Sequence, residues 1–363
     1  MLLSGLFAFY LSLYFLRLHE YRPETAQTSI LFITLLACLM MYLLKKEKNL
    51  RVIQTPFVIG FVVAAVLSHV AIFYMQGAID TADELVRLAA LYFISCALFV
   101  DKSRLEFYFK LMAFCALVIA IHGIHQFHSG GIGWTGIHLY RGERVRYLGV
   151  FNDPNDMGML LLITIPMIFY LLRKSKNIMI KFAWILILAT IFYGIYLTGS
   201  RGTLLGLLAL IFAFALFKMS KAMVIISMLV AVPLVIAVTQ FSTISFGDAS
   251  SAGRIDAWGE GIQMLKSNPL FGVGHGLFKD HHNIAAHSSY VEVFSETGLL
   301  GYFFWLGFIV MSIYGLYRFS FHYSLPETAT DLQAENYSGY RLISNALISV
   351  SYTHLTLPTT PYV

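Results

Sequence analysis

Charged side chains are scarce in this 363-residue chain, because Asp, Glu, Lys and Arg together make up only 12% of it. A soluble domain usually carries about 25%, so this chain has too few charges to cover a water-facing surface. Hydrophobic residues make up 58%, and the mean hydropathy is +0.71. The shortage of charge excludes an ordinary soluble protein and indicates an integral membrane protein.

Cysteine is also rare. Cys38, Cys96 and Cys115 all lie inside apolar runs, which predicts neither a disulfide framework nor a cysteine metal site. The net charge of +5 is spread over the connections between these runs, so it favours orientation signals in a membrane over a nucleic-acid surface. Residues 1–16 lack a basic segment and a cleavage site, so we expect a first span, whole or truncated, and no removed signal peptide.

What the chain does contain is a series of apolar runs, each near the ~20 residues that a helix needs to cross a bilayer. Backbone groups in lipid need partners within their own segment, which favours helices over strands. The sequence therefore predicts an all-α fold, a polytopic transmembrane helical bundle of about ten or eleven spans. The predicted spans are 1–16, 30–44, 56–75, 85–100, 107–127, 157–172, 182–197, 203–217, 223–240, 299–316 and a short last one at 342–350.

Basic residues mark every second connection between these spans, for example Lys45, Arg104, Lys174 and Lys218. This alternation is the positive-inside pattern, which places those connections in the cytoplasm. Three of the opposite, outward connections depart from the short, bland character of the rest, and all three contain arginine: 128–156, 198–202 and 239–301. Arginine is depleted on the outward side, so these three connections are the candidate site.

The first of them carries three arginines, Arg141, Arg144 and Arg146. They precede Pro154, which favours an extended Asp153, and we expect Asn155 or Asp156 to cap the next helix. One interpretation is a capped helix beside solvated charges. The functional interpretation is that the arginines hold an anionic ligand at the membrane face.

The second outward connection is a tight turn, Gly199-Ser200-Arg201-Gly202. Free N–H groups at the start of the following helix attract anions, and the guanidinium of Arg201 suits phosphate. Snorkelling of Arg201 to lipid headgroups is the alternative. We favour phosphate binding, because the two glycines leave the backbone open to close approach.

The third connection begins with helical spacing over residues 253–264, which predicts an amphipathic helix on the membrane surface with one apolar face of Ile255, Trp258, Ile262 and Leu265. Residues 268–276 then contain three glycines, but no strand precedes them, which argues against a dinucleotide site. His287 begins a further helical run, where the helix dipole would keep its imidazole neutral and suited to act as a general base. A surface histidine is the alternative, and a metal site including His275, Asp280, His281 or His282 is less favoured because no metalloprotease spacing occurs.

Several short motifs occur together in this order, and their combination resembles the O-antigen ligase and polymerase superfamily of bacterial envelope glycan enzymes. They are Phe151-Asn152-Asp153-Pro154-Asn155, Ser200-Arg201-Gly202, Arg254 with Trp258, residues 268–274, His287-Ser288-Ser289-Tyr290, and residues 296–301. The resemblance covers residues 141–316. The superfamily's histidine-asparagine pattern is replaced by His287-Ser288, whereas His282-Asn283 occurs earlier, so the identity of the acting histidine stays open.

The resemblance implies a metal-independent glycosyltransferase without a cofactor, in the bacterial inner membrane with its site facing the periplasm. Its donor would be an undecaprenyl-diphosphate-linked glycan, and its acceptor a hydroxyl of lipid A–core or of a growing glycan. The resemblance implies that Arg201 and Arg254 grip the diphosphate and that His287 activates the acceptor. We expect the substrate to contact a wider set of residues: Arg141, Arg144, Arg146, Asn155, His275, His282, Tyr290 and Glu296.

The resemblance also implies a domain organisation. Residues 1–317 would form the membrane domain with a periplasmic loop at 241–297, and we expect 318–363 to be a polar segment with a truncated or non-native tail. A repeat-unit polymerase is the main alternative function, followed by transfer to protein hydroxyls. A transporter would place ionisable residues within spans, where His69, His122 and His125 are the candidates.

Overall fold

The computed structural model describes residues 2–21, 29–45, 52–99, 102–218, 249–282, 286 and 288–321. Within these ranges the regular structure is helical, and the only β-type pairings are two isolated bridges, Ile132–His138 and Tyr140–Arg144. The predicted all-α class is confirmed. The predicted spans 223–240 and 342–350, and the proposed tail, lie outside the described residues.

The helices are numbered along the chain. They are α1 (Leu2–Leu16), α2 (Ile30–Leu43), α3 (Thr55–Ala71), α4 (Met75–Leu98), α5 (Lys102–His128), α6 (Pro154–Lys174), α7 (Ile178–Thr198), α8 (Arg201–Lys218), α9 (Ala249–Ser267), α10 (Phe278–His281) and α11 (Ser289–Phe321).

Four of the described helices are long and apolar enough to cross a membrane: α5, α6, α7 and the part Ser289–Arg318 of α11. Shorter apolar helices are α1, α2, α3 and the first part of α8. These helices confirm a polytopic membrane protein. The total number of spans stays a prediction.

Two predicted span boundaries differ from the observed helices. The predicted span 56–75 is interrupted, because α3 ends at Ala71 and Phe73 adopts a φ of 59° before α4 begins at Met75. The predicted span 85–100 starts too late, since α4 begins ten residues earlier. Hydropathy missed the first ten helical residues because they carry charge, and Asp83 among them pairs with Arg87 one helical turn later.

The described residues form two compact units. The first comprises described parts of Met1–Tyr42, Leu98–Ser242 and Leu316–Leu357. In it α5, α6 and α7 pack on one another, α1 packs on α5, and α8 on α6. Its core includes Cys115, Ile119, Met157, Leu161 and Ile191. Small residues at the contacts let helices in lipid approach closely.

The second unit comprises described parts of Leu43–Ala97 and Thr243–Gly315. Here α3 packs on α11 through glycine, because a Cβ on Gly60 would lie 2.3 Å from the ring of Phe304. Gly307 likewise leaves room for the ring of Phe57. Each helix thus places a glycine opposite a phenylalanine of the other helix, which lets the two backbones approach closely.

The amphipathic helix expected at 253–264 is present as part of α9, but its buried face differs from the apolar face that we predicted. Ala257, Gly261 and Met264 are buried, and a Cβ on Gly261 would lie 2.4 Å from Val291 of α11. Trp258 and Ile262 point away from this contact and are 42% and 47% exposed. Small residues occupy the side of α9 that faces α11, because they allow closer packing. Contact of the exposed face with the membrane surface stays a prediction.

Candidate functional site

The first outward connection leads into α6, which is capped by Asp153. The Asp153 carboxylate accepts a hydrogen bond from the Asn155 N–H at 2.7 Å, and Pro154 occupies the first helical position. The prediction that Asn155 or Asp156 would cap this helix is wrong. Pro154 is preorganised for the first helical position and lacks an N–H, which leaves Asp153 at the cap.

Arg144 joins the start of α6 to the end of α7. Its Nε donates to the Thr198 carbonyl at 2.7 Å, and its Nη2 donates to Asn155 Oδ1 at 3.0 Å. Gly199 follows in the left-handed region, and a Cβ on it would lie 3.4 Å from Arg144 Cγ. Burial lowers the pKa of Arg144, but a guanidinium titrates so far above neutrality that the charge remains.

The start of α8 lies against the start of α6. A Cβ on Gly158 would lie 2.3 Å from Thr203 Oγ1, so these first helical turns are in contact. The buried Ser200 hydroxyl accepts a hydrogen bond from the Thr203 N–H at 3.2 Å. Arg201, the first residue of α8, is exposed and close enough to Arg144 for their charges to interact. Two helix N-termini and two guanidinium groups therefore create a strongly positive site.

The three arginines of the first connection gather around one ring. The Cζ atoms of Arg141, Arg144 and Arg146 lie 5.4, 5.9 and 5.8 Å from the centroid of Tyr140. Arg146 also donates through Nε to the His138 carbonyl at 2.8 Å. The structure thus brings together Arg141, Arg144, Arg146, Asn155 and Arg201 in the first unit, and their contact with substrate stays a prediction.

The last two turns of α5 anchor this connection. His122 is fully buried, with its Nε2 at 2.8 Å from Thr135 Oγ1. Gln126 donates to the Ile137 carbonyl at 2.8 Å and accepts from the Arg146 N–H at 3.0 Å. His122 was a candidate for a transport pathway, but its contact ties a loop to a helix.

Sequence reasoning missed two residues that support the arginines. Tyr147 is buried, and its hydroxyl donates to the Leu16 carbonyl at 2.8 Å. Arg17 forms an ion pair with Glu20 at 2.5 Å, and a Cβ on Gly149 would lie 2.6 Å from its Nε. Burial raises the pKa of Tyr147, so its phenol stays protonated. Arg17 was detectable in principle, because the charge alternation also places the connection between the predicted spans 1–16 and 30–44 on the outward side.

The exposed side of α7 indicates where the Arg201 turn lies in the bilayer. It carries Phe182, Ile185, Leu186 and Phe192, and ends in Tyr193 and Tyr196. The two tyrosine rings stack at 6.4 Å, and the Tyr193 hydroxyl lies 2.8 Å from His128 Nε2. Apolar residues followed by tyrosine are typical of a helix reaching the membrane–water interface. We therefore expect the turn after α7 to lie at the level of that interface.

In the second unit, the structure describes only some of the predicted site residues. Arg254 belongs to α9, but its side chain is outside the description, and His287 lies outside the described residues. His282 Nε2 lies 3.3 Å from Asp256 Oδ2. Tyr290 packs edge-on against Trp305, with ring centroids 5.1 Å apart. The catalytic roles of Arg254 and His287 stay predictions.

The glycine loop, residues 269–276, is bound along its length to the middle of α11. The Val273 and Gly274 N–H groups donate to the carbonyls of Ser295 and Glu296 at 3.0 and 2.9 Å, and the Leu299 N–H donates to the Pro269 carbonyl at 2.9 Å. A Cβ on Gly272 would lie 2.4 Å from the Glu296 carbonyl. These glycines serve close backbone approach within the protein.

His275 is fixed within that loop. Its N–H donates to Ser68 Oγ at 3.0 Å, and its carbonyl lies 2.9 Å from His69 Nε2. Its Nδ1 lies 3.5 Å from Glu296 Oε2. Burial, together with the nearby His69, lowers the pKa of His275 to about 4, so its imidazole is neutral near pH 7. Across the described residues, no three His, Cys, Asp or Glu side chains gather to hold a metal ion.

Residues 184–306 match the family model described as O-antigen ligase. The predicted resemblance to the O-antigen ligase and polymerase superfamily is confirmed. The O-antigen ligase match begins within α7 and ends within α11, so it contains Arg201, Arg254, His275, His287 and Glu296. The arginines around Tyr140 precede it. No curated protein matches the chain.

Proposed function

We propose that this protein transfers a glycan from an undecaprenyl-diphosphate carrier to an acceptor hydroxyl of the lipid A–core type. The reaction would take place at the periplasmic face of the bacterial inner membrane. The O-antigen ligase match supports a glycosyltransferase-like membrane enzyme acting on lipid-linked glycans. The identities of donor and acceptor, and the ligase type, are our proposal.

One observation carries the donor assignment, the contact between the first turns of α6 and α8. Gly158 and Thr203 bring two helix N-termini together, and Arg144 lies beside them, bonded to Asn155 at the start of α6 and to the Thr198 carbonyl at the end of α7. Such a cluster of N–H groups and guanidinium groups attracts a dianionic or more highly charged ligand. A diphosphate at the membrane interface has that charge, and its polyisoprenyl tail would extend into the lipid.

The chemistry requires charge stabilisation more than a strong acid. The bond between the anomeric carbon and the phosphate oxygen breaks, the acceptor oxygen bonds to that carbon, and the diphosphate leaves with the carrier. Arg201 and the helix N-termini would stabilise the negative charge on the departing phosphate. A histidine of the large loop would accept the hydroxyl proton, with His287 as the residue that the family resemblance indicates. A pair of hydrolase-type carboxylates is unnecessary for this reaction.

Purified protein incubated with undecaprenyl-diphosphate glycan and lipid A–core tests the proposal. Glycan joined to lipid A–core supports the ligase reaction. Longer glycans that remain on the carrier indicate the polymerase, and the absence of both products, together with solute flux, indicates a transporter. A glycoprotein product would indicate transfer to protein hydroxyls.

A matched pair of variants tests the donor site. Arg201→Gln removes the exposed guanidinium at the start of α8, and we expect the transfer rate to fall about 10²–10³-fold. Arg173→Gln removes an exposed arginine at the opposite end of α6 and should leave the rate unchanged. Equal rates in both variants would remove Arg201 from the proposed site.

A further inference from the structure

The carboxylate of Glu296 lies at the centre of the contact between the glycine loop and α11. Glu296 is 7% exposed. Its Oε2 accepts the Gly276 N–H at 2.9 Å, and its Oε1 accepts the Phe278 N–H at 3.1 Å. Hydrogen bonds to a charged acceptor are among the stronger ones in proteins. Both oxygens are therefore engaged by the backbone on either side of Leu277.

We infer that Glu296 is a positioning residue, whose carboxylate fixes the end of the glycine loop and the histidine stretch, residues 279–282, that follows it. This inference rests on the proposed function, in which a histidine of the large loop accepts the proton of the acceptor hydroxyl. The sequence analysis expected Glu296 to contact substrate. The geometry instead directs both of its oxygens to the protein backbone.

The glycine loop is held against α11 in two parts. Backbone contacts hold it up to Gly274, and the Glu296 carboxylate holds the residues that follow. Gly272 and Gly298 have φ values of 72° and 65°, and each lies where a Cβ would meet the other segment at 2.4 Å. Four backbone hydrogen bonds to α11 hold the loop up to Gly274. Beyond Gly274, the Glu296 carboxylate supplies the next two contacts with α11, at Gly276 and Phe278.

The histidine stretch begins immediately after this second contact. Within it, the His282 N–H donates to the Phe278 carbonyl at 3.0 Å, so the residue that donates to Glu296 also begins the turn that carries His281 and His282. Releasing Phe278 from Glu296 therefore loosens the short helix α10 and the two histidines at its end.

Two backbone N–H groups satisfy both carboxyl oxygens of Glu296 inside the protein. Its neighbour His275 is held from the other side by Ser68 and His69, so the carboxylate completes a set of fixed contacts around the loop.

Hydrogen exchange of the full-length protein in detergent tests the inference without any substrate. Glu296→Gln can accept only one of the two N–H groups and presents an NH₂ to the other. We expect the amides of residues 276–282 to exchange at least about tenfold faster. Thr297→Val is the matched control, because Thr297 is buried beside Glu296 but bonds only within its own helix, to the Val293 carbonyl. Unchanged exchange in Glu296→Gln would overturn the inference.

Glycan transfer by the same variants gives the second readout. We expect Glu296→Gln to lower kcat at least about tenfold, with the KM for the lipid-diphosphate donor within about twofold of the original. Glu296→Asp keeps the charge but is one methylene shorter, so it should show the same loss. A raised donor KM at unchanged kcat, or full rescue by Asp, would contradict positioning. If even the unchanged protein transfers no glycan, the proposed function fails, whereas the exchange experiment still decides the role of Glu296.

Discussion

The arginines of the outward connections have different roles, which their hydrogen-bond partners indicate. Arg144 and Arg146 donate to the carbonyls of Thr198 and His138, and Arg17 pairs with Glu20 beneath Gly149. These residues shape the loops. Arg201 is exposed at a helix start, where a ligand can reach it. Arginine therefore stabilises a loop at some positions, and at Arg201 it is a candidate for binding a ligand.

We predict that Arg144→Lys destabilises the protein although it preserves the charge. Lysine lacks the planar fork that reaches Thr198 and Asn155 together, and losing these hydrogen bonds should cost about 1.5–3 kcal/mol. Denaturant unfolding in detergent measures the loss. The exposed Arg141→Lys serves as the control and should change stability by less than about 0.5 kcal/mol. Equal stability of both variants would refute the bracing role.

The buried imidazole of His275 predicts a pH dependence of stability. Its pKa of about 4 in the folded protein lies below the usual 6.5, because burial and the nearby His69 disfavour the charged form. Between these values the unfolded chain binds a proton that the folded protein does not, so stability falls as pH falls from about 6.5 towards 4. His275→Asn cannot take up this proton. We expect its unfolding constant to rise less steeply on acidification than that of the unchanged protein, by about tenfold per pH unit, and parallel pH profiles would contradict this.

Among the helices, α11 shows how one element combines two tasks. Gly298 has a φ of 65° and a ψ of −168°, which interrupts the helical geometry between Ser289 and Phe321. The kink exposes backbone groups, and the Leu299 N–H uses the Pro269 carbonyl as its partner. The segment before the kink therefore holds the glycine loop, and the segment after it provides the long apolar run.

We predict that alanine substitutions of two loop glycines lower the free energy of unfolding by very different amounts. A Cβ on Gly272 would lie 2.4 Å from backbone atoms of Glu296, which have no freedom to move aside. Gly272→Ala should cost at least about 3 kcal/mol and lower the thermal midpoint by roughly 6–12 °C. Gly276 also has a positive φ, of 77°, but open space around it, so Gly276→Ala should cost only about 1–2 kcal/mol. Thermal unfolding followed by size-exclusion chromatography measures both, and the reverse order would refute the close contact.

For the whole molecule, the distribution of charge sets the orientation in the membrane. In the first unit the end that contains Arg173, Lys174 and Lys176 is basic and exposed, and Lys174 pairs there with the buried Glu106. The opposite end holds the arginines around Tyr140 and the tyrosines at the end of α7. Arg144 and Arg146 of the second set donate to loop carbonyls, so the proposed outward position of these arginines would be compatible with the positive-inside rule.

Cysteine labelling of intact cells tests this orientation. Glu143 and Lys176 are both exposed and lie at opposite ends of the first unit, so each is replaced by cysteine in turn. We expect a membrane-impermeant thiol reagent to label Glu143→Cys from outside the inner membrane, and Lys176→Cys only after permeabilisation. The natural Cys38 and Cys115 are buried, and replacing Cys96 by alanine removes the third thiol. Labelling in the opposite sense would place the arginines in the cytoplasm and refute the periplasmic site.

The sequence by itself determined the membrane class, the helical fold and the resemblance to the O-antigen ligase and polymerase superfamily. These follow from hydropathy, from the need to satisfy backbone groups in lipid, and from short motifs that keep their order along the chain. It also selected the arginines of the first unit, because arginine in an outward connection is unusual whatever its neighbours are. Local composition is sufficient for all of these conclusions.

Only the tertiary structure decided which of these polar residues face other parts of the protein. Three contacts became visible only through their hydrogen-bond partners. Gly276 and Phe278 donate to the Glu296 carboxylate, Arg144 donates to the Thr198 carbonyl, and Asp153 caps α6. Two of these three contacts join residues 18 to 54 positions apart in the chain, and no periodic pattern encodes such pairs. A buried charge and an exposed one have the same sequence signature, and packing alone separates them.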